Sequence, residues 1–83
     1  MKVQLRYFAS LRESLGAGET IDVPEGSSVG ALRDLLLARG GRYGEVLARG
    51  RAVRCALDQA MCDEGAWLSD GQELAFFPPV TGG

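Results

Sequence analysis

The segment AFFPPVTGG at residues 75–83 holds groups that could do chemistry without a conventional catalytic side chain. Pro78 and Pro79 favour an extended geometry of about 3.1 Å per residue, which would carry Gly82 and Gly83 away from a folded domain. Because glycine has no side chain, this pair could enter a narrow channel and lie close to a nucleotide. A free carboxylate on Gly83 is a poor acyl donor, but adenylation by ATP would let an amine, a thiol or sulfide take up the acyl group. The segment therefore indicates a chain end that is activated and used.

The composition restricts the other chemistries. The 83 residues contain no histidine, which excludes Ser/His and Cys/His pairs and a histidine metal site. Cys55 and Cys62 lack C-x-x-C spacing, and two thiols cannot close a tetrahedral zinc site. Cys55 shares a predicted strand face with apolar neighbours and is expected to be buried, whereas Cys62 is expected to be partly exposed. A persulfide or redox role for either cysteine stays open as an alternative.

Length and charge limit the class of protein. A chain of 83 residues makes one domain. The net charge is −2 with both signs mixed along the chain, and the absence of a basic patch argues against a nucleic-acid partner. There is no 20-residue apolar stretch and no basic-then-apolar N-terminus, so we expect neither a membrane span nor a signal peptide, and a cytoplasmic location.

Alternating apolar and polar residues predict the strands that must position these groups. The turn signals between them are Asp58-Gln59 and Ser69-Asp70-Gly71. The predicted strands cover residues 2–8, 19–24, 53–58, 60–62 and 73–77.

Two helices are predicted between these strands. Ser10 and Glu13 have capping-box spacing at the start of a short helix that ends at Gly16. The main helix begins after a cap at Ser27 or Ser28 and ends at the Gly40-Gly41 pair. Its predicted apolar stripe consists of Val29, Leu32, Leu35 and Leu36. Residues 42–51 are rich in glycine and arginine and are expected to be irregular, with a helical turn around residues 45–48.

The order strand, strand, helix, strand, short strand, strand predicts one main helix packed on a mixed sheet of four or five strands, an α+β layout. With the first two strands as a hairpin-like unit and the last strand beside the first, the arrangement is the β-grasp, or ubiquitin-like, fold. The predicted domain covers residues 1–77, and residues 78–83 form an extended tail.

The last strand predicts an exposed aromatic patch. If Leu74 and Phe76 face the core, Phe77 points outward, as Phe8 does from the first strand. Aromatic residues on a solvated sheet face usually indicate a partner. The alternative is that loops or helical segments cover one or both rings.

Four stretches together resemble the small, sulfur-carrying subunit of molybdopterin synthase: FASLRE (8–13), VGALRDLL (29–36), LSDGQELAFFPP (68–79) and the final VTGG. The resemblance covers essentially the whole chain and implies a β-grasp fold. It also implies that an adenylating enzyme similar to ubiquitin-activating enzymes uses ATP to form an acyl adenylate. A sulfurtransferase or cysteine desulfurase system would then supply sulfur for a terminal thiocarboxylate.

The resemblance further implies that the tail inserts into a large synthase subunit, in a heterotetramer. The large subunit would hold the catalytic lysine and convert cyclic pyranopterin monophosphate to the dithiolene of molybdopterin. This chain would then be no enzyme on its own and would bind no cofactor or metal. Its site residues would be Gly83 as the acyl and sulfur site, Pro78, Pro79, Val80, Thr81 and Gly82 as the inserted tail, and Phe8, Met61 and Phe77 as the apolar docking surface.

Asp58 departs from the family, which often has asparagine at this turn, and residues 40–51 are unusually rich in glycine and arginine. Two other classes of function stay open. One is a related carrier for thiazole synthesis or tRNA thiolation, or a ubiquitin-like protein tag. The other is a non-covalent interaction module whose tail is incidental. The ending AFFPPVTGG favours the molybdenum-cofactor carrier.

Overall fold

The computed structural model describes residues 1–79, so the tail residues Val80, Thr81, Gly82 and Gly83 lie outside the described residues. The helices of this part of the chain have seven, nine and six residues, and none of them is long and apolar enough to cross a membrane. The elements in chain order are β1 (Lys2–Tyr7), α1 (Ala9–Leu15), β2 (Gly18–Asp22), α2 (Val29–Leu37), α3 (Gly41–Val46), β3 (Arg54–Leu57), β4 (Ala60–Cys62) and β5 (Glu73–Phe77).

The strands form one mixed sheet in the order β2-β1-β5-β3-β4. β1 and β5 are parallel neighbours, with Leu5 opposite Leu74 and Tyr7 opposite Phe76. The other neighbouring strands are antiparallel. The predicted pairing of the first strand with both the second and the last strand is therefore confirmed. With α2 packed on one face of the sheet, the predicted α+β, β-grasp fold is also confirmed.

The core lies between α2 and the sheet. Strand alternation places every second side chain of β1 and β5 in it, and helical spacing supplies one face of α2. Each fully buried aliphatic or aromatic side chain contributes about 1.5–3 kcal/mol relative to an exposed one. The residues at 0–1% exposure from these three elements are Val3, Leu5, Tyr7, Val29, Leu32, Leu36, Leu74 and Phe76.

The capping box predicted for α1 is wrong. The helix begins at Ala9, and Phe8 occupies the N-cap position without a side-chain cap hydrogen bond. The Phe8 carbonyl accepts a hydrogen bond from the N–H of Leu11 at 3.1 Å, so the helix begins where β1 ends and Ser10 already lies inside it. The predicted end is confirmed, because Gly16 is the C-cap with φ of 93°, a conformation that glycine adopts readily.

The start of α2 is confirmed and its apolar stripe is partly wrong. The Ser28 hydroxyl accepts a hydrogen bond from the N–H of Ala31 at 3.1 Å. Leu35 is 44% exposed, whereas Arg33 is only 3% exposed. The buried face is rotated toward Arg33 because the guanidinium finds hydrogen-bond partners in the segment that follows the helix.

The segment predicted to be irregular contains α3, which runs from Gly41 to Val46. Its position depends on Arg33, whose Nε donates to the carbonyl oxygen of Leu47 at 2.8 Å. The Nη2 atom of the same side chain donates to the carbonyl oxygen of Ala48 at 2.7 Å. One buried guanidinium therefore satisfies carbonyl groups at the end of α3 and holds the glycine- and arginine-rich segment against α2.

Glu64 connects this segment to the loop after β4. Arg33 Nη1 donates to a Glu64 carboxylate oxygen at 2.7 Å, and Arg49 pairs with both Glu64 and Asp34. Partial burial by itself would raise the pKa of Glu64, but the hydrogen bonds from Arg49 and Arg33 outweigh it and hold the pKa below its ordinary value. Arg33 and Arg49 therefore have a structural function.

The turn at Asp58-Gln59 is confirmed. Both residues have positive φ, at 46° and 70°, as tight hairpins require. The Asp58 carboxylate accepts a hydrogen bond from the N–H of Glu73 at 3.0 Å. Aspartate thus supplies the acceptor that an asparagine carbonyl would supply, and the departure from the family leaves the turn intact.

Candidate functional site

The three residues predicted for the docking surface lie together on the outer face of the sheet, opposite α2. Met61 is 60% exposed, Phe8 is 40% exposed, and Phe77 is half-buried. The strand register explains their proximity, because Ala56 lies opposite both Met61 and Ala75. The central positions of this row carry only methyl groups, so the larger side chains stand around a depression.

This depression is an apolar groove of about 390 Å³. Ala56 and Ala75 form its floor and are each only 7% exposed, although both point away from the core. Their burial means that the larger neighbouring side chains cover them. Arg6, Gln59 and Glu73 complete the polar rim. An apolar centre with a polar rim is the usual anatomy of a protein–protein contact.

Charge at the rim is balanced locally. The Arg6 guanidinium carbon lies 5.6 Å from the centroid of the Phe8 ring, and Arg6 Nη1 lies 3.4 Å from a Glu73 carboxylate oxygen. The first contact is a cation–π interaction, and the second is an exposed ion pair of small energetic value. Because the rim charges compensate each other, we expect the apolar surface, rather than net charge, to determine which partner this face binds.

Backbone geometry holds Phe8 in place. Its N–H donates to the carbonyl oxygen of Phe76 at 3.1 Å, which continues the pairing of β1 with β5. The next residue, Ala9, has φ of 53°, which turns the chain sharply from strand into helix. The Phe8 ring therefore remains on the outer face beside the end of β5.

The strand that borders the groove leads directly into the predicted tail. β5 ends at Phe77, and both Pro78 and Pro79 are partly exposed. Pro78 lines a separate depression of about 270 Å³ together with residues of α1 and of the segment before β3. Proline cannot continue a sheet ladder, so the strand ends here. The predicted acyl site at Gly83 and the tail residues Val80 to Gly82 lie outside the described residues.

The cysteines occupy neighbouring strands. Cys55 is 4% exposed, as expected for a small apolar core residue, and Cys62 is partly exposed. Burial, followed by the hydrogen bond with Cys62, raises the pKa of the Cys55 thiol to about 12. Cys55 is therefore protonated at neutral pH and a poor nucleophile. No group of His, Cys, Asp and Glu side chains among residues 1–79 is arranged to hold a metal ion.

A second polar cluster lies away from the groove and centres on Glu19. Its carboxylate accepts hydrogen bonds from Arg39 Nη1 at 2.8 Å, from the Tyr43 hydroxyl at 2.8 Å and from the Tyr7 hydroxyl at 3.3 Å. Burial alone would raise the pKa of Glu19, but the Arg39 and Tyr43 hydrogen bonds lower it below its ordinary value. The same burial, together with the Glu19 charge, raises the pKa of Tyr7. The cluster ties β1 and β2 to α3 and offers no reactive group.

Sequence reasoning missed the floor of the groove and its rim. Alternation does place Ala75 on the same face as Phe77, so that part of the signal was available. The position of Ala56 depends on which strands are neighbours and in which register, which no local pattern specifies. Gln59 reaches the groove only because the turn folds β4 back along β3.

Comparison with known proteins extends these observations. A family model described as the ThiS family matches residues 5–83. The protein of Escherichia coli (strain K12) named molybdopterin synthase sulfur carrier subunit is 36% identical over 81 residues, which cover 98% of this chain and 99% of that protein. H. volcanii small archaeal modifier protein 1 superposes with a TM-score of 0.79 at 25% identity, over 95% of this chain and 98% of that one. A chain in the complex of subunits 1 and 2 of molybdopterin-converting factor from Helicobacter pylori superposes with a TM-score of 0.71 at 25% identity, over the whole of both chains.

Proposed function

This chain belongs to the ThiS family, and we propose that it is a sulfur carrier of the molybdopterin synthase type. In this proposal the Gly83 carboxylate is adenylated, converted to a thiocarboxylate and used as the sulfur donor for cyclic pyranopterin monophosphate inside a large subunit. The observation that carries the proposal is the apolar groove beside the end of β5, the strand that leads directly to Pro78-Pro79 and the glycine pair. The E. coli relative named as a sulfur carrier supports it.

The groove and the tail have separate tasks in this proposal. Phe8, Phe77 and Met61 dock on an apolar surface of the partner, where buried aromatic anchors supply most of the binding energy. Six residues from Pro78 to Gly83 span at most about 20 Å. Docking therefore confines the terminus to a short range, and its entry into the partner becomes an intramolecular step with a high effective concentration.

The chemistry needs no side chain of this chain. Attack of the carboxylate on the α-phosphate of ATP gives an acyl adenylate and releases pyrophosphate. Sulfide displaces AMP and gives the thiocarboxylate directly; the outer sulfur of a persulfide gives an acyl disulfide instead, which a thiol cleaves to the thiocarboxylate while a disulfide forms on the donor. Transfer of that sulfur to the pterin, with water attacking the acyl carbon, returns the carboxylate, so a dithiolene with two sulfurs consumes two charged carriers. The catalytic side chains belong to the large subunit, and the H. pylori complex of two subunits supports such a partner.

An intact-mass measurement tests the carrier proposal. The protein is incubated with an adenylating enzyme, ATP and a sulfur source, and the expected product gains the mass difference between sulfur and oxygen. Fragmentation should place this gain on Gly83. The matched control carries one alanine appended after Gly83 and should gain nothing, because its terminal carboxylate is displaced. Sulfur located on Cys62 would contradict the proposal, as would no gain under conditions that charge a known carrier.

A second assay assigns the pathway. The charged protein is mixed with a molybdopterin synthase large subunit and cyclic pyranopterin monophosphate, and dithiolene formation is followed as the thiocarboxylate reverts to carboxylate. Product formation supports the molybdenum-cofactor role. A charged carrier that binds the large subunit but yields no dithiolene would indicate thiazole synthesis or tRNA thiolation instead.

The likeness to an H. volcanii small archaeal modifier protein favours a second candidate, a ubiquitin-like protein tag. A tag would transfer its activated acyl group to a lysine amine and form an isopeptide bond. Incubation with the adenylating enzyme, ATP and an extract would then give covalent adducts that retain the Gly83 acyl group. A carrier would give the free thiocarboxylate and no such adducts.

A further inference from the structure

The two cysteines of the chain lie directly opposite each other on adjacent strands. Cys55 of β3 and Cys62 of β4 are register partners in an antiparallel pair. Their Sγ atoms are 3.6 Å apart. Both side chains point to the core face, whereas the neighbouring pair Ala56 and Met61 points to the outer face. The sulfur atoms are therefore already in contact, and no other side chain separates them.

The contacts of the two thiols differ. The Cys62 thiol donates to the Cys55 sulfur, and the Cys55 thiol donates to the backbone carbonyl of Cys62 at 3.4 Å. Cys55 is 4% exposed, whereas Cys62 is partly open to solvent. A soluble oxidant can therefore reach Cys62 before Cys55. The oxidised Cys62 then lies in contact with the Cys55 sulfur.

We propose that Cys55 and Cys62 form a reversible oxidation site that closes into a cross-strand disulfide. A hydroperoxide transfers one oxygen to the Cys62 thiol, which gives a sulfenic acid and an alcohol or water. The protonated Cys55 thiol is a poor nucleophile toward reagents in solution, but its sulfur is held 3.6 Å from the Cys62 sulfur. It attacks the Cys62 sulfur as its proton passes to the departing hydroxide, so that an S–S bond forms and water leaves. Two equivalents of a thiol reductant reverse the reaction by exchange and become a disulfide themselves.

The hairpin geometry permits this closure. Directly opposed residues of an antiparallel pair have Cα atoms about 4.5–5.5 Å apart, and disulfides accept about 4.4–6.8 Å. The sulfur atoms must approach by about 1.5 Å to reach the bond length of about 2.05 Å. β4 has only three residues and lies at the edge of the sheet, so it can shift without disturbing a further strand.

Closure leaves the apolar groove in place. Met61 lies on the opposite face from its neighbour Cys62, so a bond on the core side fixes the β3–β4 register without occupying the groove. The site is therefore independent of the proposed sulfur transfer at Gly83. We expect the oxidised protein to keep its affinity for a large subunit within about threefold of that of the reduced protein, a difference below about 0.7 kcal/mol.

Peroxide titration of the full chain tests the proposal. The protein is treated with hydrogen peroxide at micromolar concentration, denatured, alkylated with N-ethylmaleimide and weighed intact. The expected product is a monomer that lacks two hydrogens and takes up no alkyl group, and dithiothreitol should restore two alkylation sites. Because a cross-link restricts the unfolded chain, the oxidised form should unfold at least about 5 °C higher. No activating enzyme is needed, so the result does not depend on the sulfur-carrier proposal.

Two variants identify which cysteine the oxidant attacks first. In Cys62→Ser the buried Cys55 should stay reduced at peroxide concentrations that fully oxidise the wild type. In Cys55→Ala the partly exposed Cys62 should accumulate oxygen adducts without losing two hydrogens. A covalent dimer of the wild type, an oxygen adduct on Cys62 beside a free Cys55, or a lower unfolding temperature after oxidation would each overturn the proposal. Equal oxidation of Cys55 in Cys62→Ser would overturn the assignment of Cys62 as the point of entry.

Discussion

Phe8→Ala should weaken binding to a molybdopterin synthase large subunit by about 1.5–2.5 kcal/mol. A phenylalanine side chain offers about 150–250 Å² of surface, and Phe8 keeps 40% of its surface exposed in this structure. Docking can therefore bury roughly 60–100 Å² of this ring, and apolar burial is worth about 25 cal/mol per Å². The dissociation constant should rise about 10- to 70-fold.

Isothermal titration of the large subunit with wild type and variant measures this change. The matched control is Trp67→Ala, because Trp67 is an aromatic residue at 72% exposure outside the groove. The affinity of the Trp67→Ala protein for the large subunit should stay within about twofold of that of the wild type. The loss for Phe8→Ala should be the same at about 0.05 and 0.5 M salt, because the lost contact is apolar and is not screened.

The buried part of the Phe8 ring also stabilises the domain, so both variants are titrated at a temperature where circular dichroism shows them folded. An unchanged dissociation constant for a folded Phe8→Ala protein would refute the assignment of the groove as the docking surface. An equal loss in Trp67→Ala would show that exposed aromatic surface in general, rather than the groove, drives the contact.

Three further predictions concern stability. Arg33→Met should lower the free energy of unfolding in urea by about 3 kcal/mol, since it leaves the Leu47 and Ala48 carbonyls without their side-chain donor and removes one of the two arginines that pair with Glu64. Arg42→Met, at an exposed site, should change it by less than about 0.5 kcal/mol, and equal effects would contradict the structural role of Arg33. Glu19→Gln should destabilise the protein at pH 7, because the pKa of Glu19 is lowered on folding. The stabilisation by the Glu19 carboxylate is complete above the unfolded pKa of about 4.3 and is lost as pH falls through the folded pKa, so the difference between the two proteins should shrink below about pH 4.3 and disappear below the folded pKa. A pH-independent difference between the two proteins would refute this. Gln59→Gly should raise the free energy of unfolding by about 0.5–1 kcal/mol, because φ at this position is 70° and glycine adopts positive φ without strain. Thermal unfolding measures this change. A lower unfolding temperature for the variant would mean that contacts of the Gln59 side chain stabilise the protein more than the backbone strain destabilises it.

Local patterns were sufficient to predict the five strands and the existence of α1 and α2. Period-two alternation identified the core faces of β1 and β5, and it placed Phe8 and Phe77 on the other face before any tertiary contact was known. The Ser28 cap and the turn at Asp58-Gln59 are also local, since each depends on one residue type and its immediate backbone. The chemistry proposed for Gly83 likewise follows from residue types and stays a prediction, since that residue lies outside the described part of the chain.

Long-range contacts decided what those patterns left open. Leu35 and Arg33 are both compatible with a helical stripe, and α2 buries Arg33 because carbonyl groups fourteen and fifteen residues away accept its hydrogen bonds. A charged side chain is buried only where such partners exist. The sequence of α2 by itself does not show that these carbonyl groups pack against Arg33. The same partners order α3, in the segment that composition alone predicted to be irregular.

The sequence by itself determined the fold class, the aromatic residues that face away from the core and the candidate tail, because each of these depends on residue type and short spacing. The family resemblance grouped Met61 with the two phenylalanines, but only the tertiary structure decided that the three surround a floor of Ala56 and Ala75, and that Cys55 and Cys62 are in contact. Both results depend on the register between strands that are separated in the chain. Register depends on how the whole sheet packs against α2, because a slip of one residue would move every side chain of a strand to the opposite face.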